Sequence, residues 1–460
     1  MRFISTRGQS PAIGFDDVLL SGPAPDGGLY VPETWPKLDW ARLQAGSQHG
    51  YAALASSILG AYSGSADWQV AIDRVTRDAY ARFSDPHAAP LREMGAHRWL
   101  LELFHGPTLA FKDFALQVLG PLMNEALVRR NRRALVLAAT SGDTGAAAVN
   151  ALAGQSNIHL VILHPRGRIS DVQRRQMTTT TASNIRNIAV EGTFDDAQAM
   201  VKAAFADRGF AAQHGLAAIN SINWVRIAVQ SAYYVSSCLA LGNRTPSFVV
   251  PTGNFGDAFA GYVARAMGAP IRRIIVATNS NDIVARAINT GTYARGQVVA
   301  TASPAMDIQV ASNVERLLFE VLGRDAFRTR QLMQDFERTG SITLEPAVHA
   351  AIRSAFDADR VSEDETMATI RSVHAQTGIL VDPHTAVGLT ANRLAHAAED
   401  LVTLATAHPA KFPDPVAQAA GVRPALPEHL RWIETATERC ETLPASVEAL
   451  KAAIAGGGVH

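Results

Sequence analysis

The chain has 460 residues, 47% of them hydrophobic and 18% charged, which is ample apolar material for a globular core and more chain than one compact domain uses, so two or more lobes are expected. Lysine plus arginine equals aspartate plus glutamate at 42 each, and a formal net charge of zero argues against a nucleic-acid or acidic-membrane partner, which needs a basic field, while allowing a local basic pocket for a small anion. Two cysteines, Cys238 and Cys440, are too few for a disulfide framework, and neither a signal-peptide run at Met1–Arg7 nor an apolar stretch of bilayer-spanning length is present, so a soluble cytoplasmic protein is expected.

Residues 1–92 read as an N-terminal domain, and residues 93–460 as a catalytic region of two α/β lobes with helical insertions. The first part carries a turn-rich segment, Ala24–Pro32, then helical stretches near Tyr51–Gly60 and Val70–Phe83, ended by Ser84-Asp85-Pro86. From Arg98 onward short apolar runs alternate with longer helix-period stretches. The predicted strands are Trp99–Phe104, Ala134–Ala139, His159–Leu163, Asn187–Val190, Phe248–Pro251, Ile274–Ala277, Ile379–Val381 and Leu401–Ala405. Between them lie predicted helices Phe114–Arg129, Gly145–Ala153, Asp196–Ala206, Ile222–Leu241, Asp257–Met267, Val314–Leu322, Thr366–Gln376 and Ala386–Ala397. Strand runs without period-two alternation are buried on both faces, and the alternation of β and α points to parallel sheets covered by helices. The stretch from about Asp325 to Gln376 is expected to be mainly helical, and so are the last fifty or so residues.

Three strand–turn–helix segments and one lysine carry the chemistry. Lys112 follows apolar Leu109-Ala110-Phe111 at the start of a helix, after Gly106-Pro107. Desolvation there would free its amine as a nucleophile, and a cation at a helix N-terminus calls for an anionic partner; a snorkelling lysine fits the local pattern equally. The segment Phe248–Gly261 runs from an apolar strand through Thr252-Gly253-Asn254-Phe255-Gly256 into a helix, a main-chain cradle for phosphate, with Asp257 open to reading as a helix cap. Its spacing is neither GxGxxG nor a nucleotide P-loop. Ala138–Ala148 places Ser141, Gly142, Asp143 and Thr144 at another helix start, suited to a carboxylate or to plain capping by Ser141 or Asp143. Gly378–Gly388 places Thr385 at a third, where a helix N-cap is the plain alternative.

The lysine segment Gly106-Pro107-Thr108-Leu109-Ala110-Phe111-Lys112-Asp113-Phe114 resembles the Schiff-base lysine segment of the tryptophan synthase β-like enzymes that use pyridoxal 5′-phosphate (PLP), in the version found in threonine synthases. Ser5–Gly8, Ala24–Pro32, Asn220–Trp224, Ser303–Arg316 and Thr406–Phe412 extend that resemblance over nearly the whole chain, and it is to the longer threonine synthases of bacteria and fungi. The resemblance implies fold type II, two parallel-sheet lobes with the cofactor in their cleft, plus a small N-terminal domain. It implies PLP on Lys112, the cofactor phosphate held by Gly253, Asn254, Phe255, Gly256 and Asp257, and the pyridine nitrogen facing Thr385. Ser141, Gly142, Asp143 and Thr144 would grip the substrate carboxylate. The implied reaction converts O-phospho-L-homoserine to L-threonine and phosphate; the sequence leaves monomer and homodimer both open.

For the substrate phosphate the candidates are Arg166, Arg168 and Ser170, and Asn220, Ser221, Asn223 and Arg226, with the Asn220–Asn223 segment preferred to the Arg166–Arg168 turn. A phospholyase that releases 2-oxobutyrate from the same substrate, and a non-catalytic PLP-binding protein, are the competing readings. A zinc hydrolase fails, because His97, His105, His159, His164, His384 and His408 show no ligand spacing.

Overall fold

The structure, a computed structural model, describes residues 1–46, 49–242 and 244–456. Two sheets dominate it. A six-stranded sheet runs in the order Phe356–Arg360, Ile274–Thr278, Ser247–Pro251, Leu401–Ala405, Arg98–Glu102 and Leu91–Gly95, all neighbours parallel except the last pair. A five-stranded parallel sheet runs Glu441–Pro444, Ile185–Glu191, Ile158–Pro165, Ala134–Ala139 and Leu216–Ala217. The central strands bury both faces: every residue of Ser247–Pro251, Ile274–Thr278 and Leu401–Ala405 is buried. That is why they read as continuous apolar runs. The helix Lys112–Arg129 is buried nearly all round and packs on the helices Asp143–Leu152 and Trp224–Ala240, tying the elements of both sheets into one core.

The N-terminal region contributes a two-stranded antiparallel ribbon, Phe3–Ser5 with Tyr30–Pro32, and the helices Gly50–Ser63 and Ala66–Tyr80. It is anchored through buried Arg7, whose guanidinium meets the Glu315 carboxylate at 3.0 Å. Residue 92 falls inside the strand Leu91–Gly95, so by that position the chain has already entered the larger sheet.

Three expectations are corrected. Ile379–Val381 is not a strand: Gly378, at φ +72°, ends the helix Glu363–Thr377, and Asp382 caps the helix Pro383–Ala391, leaving too little chain to pair. Conversely, Phe356–Arg360, inside the stretch expected to be mainly helical, is an edge strand of the larger sheet with buried residues alternating along it. The C-terminal region is also not wholly helical, because Glu441–Pro444 closes one edge of the five-stranded sheet. Among the described residues, no helix is long and apolar enough to cross a membrane.

Candidate active site

Four segments that leave the carboxyl ends of parallel strands converge, which is where open α/β sheets build their sites. After Arg98–Glu102 the chain runs through residues 103–111 to Lys112; after Leu401–Ala405 it runs through Thr406 to Lys411. These two segments are stitched together by Phe111 N–H to Thr406 O at 2.9 Å and His408 N–H to Leu109 O at 3.0 Å. The other two are the turns after Ala134–Ala139 and Ser247–Pro251.

Lys112 is buried, and its amine donates to Asp143 Oδ2 at 3.0 Å. This carboxylate is the anion that a cation at a helix start requires. Burial pushes the Lys112 amine below the ordinary lysine range; Asp143 opposes that, while Lys411 and Arg226 reinforce it. For Asp143, burial would raise the carboxyl, but the Lys112 and Lys411 charges outweigh it and hold the group far below the usual carboxylate range. Asp143 is therefore an anion committed to cations and to Gln173, whose Nε2 donates to Oδ1 at 2.9 Å. Its side-chain oxygens are taken by these groups, which leaves its main-chain N–H as the donor Asp143 offers at this turn. Nor does Asp143 or Ser141 cap the helix Asp143–Leu152: Gly142 is its N-cap at φ +127°, with no side-chain cap bond. Thr140 braces the turn instead, its hydroxyl accepting from Gly142 N–H at 2.9 Å and Gly145 N–H at 2.8 Å. Ser141 and Thr144 stand half-buried at the mouth of this turn.

The second turn holds Gly253 and Asn254, half-buried, then Phe255 at φ +62° as the N-cap of the helix Gly256–Met267. The first N–H groups of that helix have no partner within it. A Cβ on Gly253 would lie 2.6 Å from Ala305 O, so only glycine lets the 303–306 segment approach this closely. Asp257 is not a cap. It is buried, accepts from Tyr233 Oη at 2.5 Å and Tyr234 Oη at 2.9 Å, and leaves Oδ2 without a partner. Burial pushes it up to about 6, with those hydrogen bonds and the charge of nearby Lys112 acting the other way. The Lys112 amine and the glycine turn thus share one neighbourhood.

Thr385 is buried on the third turn but is not the N-cap. Asp382 caps that helix, accepting from Thr385 N–H at 3.1 Å and His384 N–H at 3.0 Å, and the Thr385 hydroxyl also donates to Asp382. His384 is fixed structurally, with Nδ1 on Asp382 at 2.7 Å and Nε2 accepting from Ala305 N–H at 3.3 Å.

Around Asn220 the outcome is mixed. Asn223 is engaged within the fold: its amide donates to Val18 O, Leu19 O and Ser21 O at 3.3, 3.1 and 3.0 Å, while its Oδ1 caps the helix Trp224–Ala240. Asn220 uses only Oδ1, accepting from Ile222 N–H at 3.2 Å. Arg226 is 4% exposed, its Nη1 is buried without a partner, and burial lowers its pKa to about 10. A buried guanidinium in that condition is a place for an anion. Arg166 instead pairs with exposed Glu191 at the surface.

The residues fit a phosphate-bearing aldehyde. They present a desolvated amine, a cradle of main-chain donors whose glycine cannot gain a Cβ, and an unpartnered buried cation. Lys411, Gln173, Gln176 and Thr140 were not assigned from sequence, although Lys411 stands in the quoted segment Thr406–Phe412. A cleft of about 440 Å³ among Leu322, Arg328, Asp335 and Leu344 shares no residue with this constellation. Among the described residues no group of histidines, cysteines and carboxylates is placed to hold a metal.

Comparison with known proteins agrees along the chain. The pyridoxal-phosphate dependent enzyme model matches residues 87–405, the threonine synthase N-terminus residues 2–80 and the threonine synthase C-terminal model residues 385–454. The threonine synthase of Pseudomonas aeruginosa is 45% identical, covering 100% of this chain and 99% of that one. The PLP-bound threonine synthase structure from Brucella melitensis superposes with a TM-score of 0.97 at 45% identity, covering 99% of each chain. The yeast threonine synthase structure gives 0.93 at 36%, covering 99% of this chain and 98% of its own. The chain belongs to the threonine synthase family of pyridoxal-phosphate dependent enzymes.

Proposed function

We propose that this chain converts O-phospho-L-homoserine and water to L-threonine and inorganic phosphate, with Lys112 as the proton-moving amine. The observation that carries the reading is the Lys112 amine, buried at 3.0 Å from Asp143 of one glycine turn and near enough to Asp257 of the other to act on its charge. When bound, PLP supplies the aldehyde that engages an amine and a ring that draws electrons from the substrate carbon.

The chain's own groups would divide the remaining work. The main-chain donors of Gly253, Asn254, Phe255, Gly256 and Asp257 hold the cofactor phosphate, and Thr385 faces the ring nitrogen. Desolvation favours loss of the Lys112 proton, and the amine so freed would take the proton from the substrate Cα and return protons later. Ser141, Gly142 and Thr144 hold the substrate carboxylate through hydroxyls and main-chain N–H groups; from Asp143 only the main-chain N–H can take part. Arg226, with Asn220, binds the phosphate that leaves, since its guanidinium is the buried cation lacking a partner.

The test is incubation with O-phospho-L-homoserine while phosphate, threonine and 2-oxobutyrate are all quantified. Threonine and phosphate in equal amounts are expected. Phosphate accompanied by 2-oxobutyrate and ammonia in place of threonine would make the chain a phospholyase.

A further inference from the structure

One fully buried lysine beside this site has no role in the reaction described above. Lys411 is 0% exposed, yet its Nζ donates to Thr108 O at 2.6 Å and Gln176 Oε1 at 3.0 Å and is ion-paired with Asp143 Oδ1 at 3.3 Å. Two of these contacts are hydrogen bonds, and the third is an ion pair with the carboxylate that Lys112 also meets. Lys112 differs: its single acceptor is the other oxygen of the same carboxylate. Two lysines therefore share one anion, one of them fixed at three points and the other hydrogen-bonded at one.

We propose that Lys411 is a positioning residue for Lys112: it is the standing counterion of Asp143, so the carboxylate stays paired whether or not Lys112 carries a proton. This rests on Lys112 being the reactive amine. A buried carboxylate whose only cation were Lys112 would hold that amine as an ammonium, because an unpaired buried charge is costly. With Lys411 in place, Asp143 can orient the amine without locking it in the protonated form. The same ammonium pins Thr108 O, in the segment leading to Lys112, and Gln176 Nε2 donates to that oxygen at 3.1 Å, which makes the counterion part of the loop's scaffold.

The other charged groups facing the cluster are Arg226 and Asp257 on the Lys112 side, His384 on the Asp143 side and Asp113 on the Lys411 side. None of them touches the Asp143 oxygens.

The test is trace acetylation of the full chain, stripped of cofactor, across a pH series, with labelling at Lys112 followed by peptide mass spectrometry and folding followed by thermal melting. In the parent, Lys112 should titrate below the ordinary lysine range. In Lys411→Met the midpoint should rise by on the order of one unit, about tenfold less labelling at a fixed pH below it, while Lys411→Arg should keep the parent midpoint. An unchanged midpoint in a folded Lys411→Met overturns the proposal. A parent midpoint at or above the ordinary lysine value also overturns it, and that measurement needs no variant to fold. Because no substrate is used, a parent that titrates as expected but makes no threonine would sink the functional reading and leave the counterion role standing.

Discussion

Asn313 donates its side-chain amide to the carbonyl of Asn254 at 3.0 Å, and its backbone N–H reaches the same oxygen at 3.2 Å. Arg316 fixes that amide by donating to Asn313 Oδ1 at 2.5 Å, and its guanidinium also reaches Tyr30 O at 2.9 Å and Ile222 O at 2.6 Å. One buried arginine thus links the N-terminal ribbon, the segment before Arg226 and the glycine turn. The segment Ser303–Arg316, which marked the family in the sequence, supplies the brace that shapes the phosphate cradle.

Replacing Asn313 by alanine removes one of two donors from Asn254 O and leaves the Arg316 Nη1 without its acceptor. Stability should fall by about 1–3 kcal/mol, the range for orphaned buried polar groups. Cofactor retention should fall as well, because the turn loses its shape. Denaturant unfolding and dialysis followed by cofactor absorbance measure the two effects. Full retention of PLP in Asn313→Ala would show that the brace does not shape the cradle.

Lys112→Ala should abolish turnover, because the amine that engages the cofactor and moves protons is removed in one step. The parent, treated with borohydride in the presence of PLP, should carry the label on the one peptide containing Lys112. Label on Lys411 in its place would reverse the roles assigned to the two lysines. A folded Lys112→Ala protein that still turned over would end the assignment altogether.

Much of this was legible in the sequence because the signals are local. Ser247–Pro251 and Leu401–Ala405 are runs buried on both faces, Ala134–Ala139 is buried over its first four residues, and each leads into a turn that the site uses. The edge strand Phe356–Arg360 was hidden because Phe-Asp-Ala-Asp-Arg alternates buried and less buried residues within a stretch that otherwise has a helical period. The roles of single polar residues were the least legible. Asp143, Asp257 and Thr385 all sit where a cap would sit, yet their partners are Lys112, Tyr233 and Asp382. Of these only Asp382 is close in sequence. Lys411 shows the same limit, since its contact with Thr108 spans 303 positions and no spacing rule can find it.

Gly253→Ala tests the cradle by sterics alone. The new Cβ would sit 2.6 Å from Ala305 O, a backbone atom that cannot swing aside. Either the turn or the 303–306 segment must shift, so PLP affinity should drop by about tenfold or more, the equivalent of roughly 1.4 kcal/mol. Fluorescence titration of the cofactor-free protein measures it. An unchanged affinity would mean that the close approach at Gly253 is not part of the cofactor site.

Asp257 gives a pH prediction whose sign follows from its burial. Burial raises the carboxyl from its ordinary value of 3.8 to about 6, against the hydrogen bonds from Tyr233 and Tyr234. The folded chain therefore holds this proton to higher pH than the unfolded chain does. Between about pH 4 and 6 the unfolded state ionises first, so this group's contribution to stability declines as pH rises, by on the order of 3 kcal/mol across the window. Asp143 and Glu399, held below their ordinary values, act in the opposite sense at lower pH, so the group must be isolated by difference. Asp257→Asn cannot ionise. Urea unfolding of the cofactor-free parent and variant in half-unit steps should show the variant gaining on the parent as pH climbs through this window, and a constant difference would place the Asp257 carboxyl at its ordinary value.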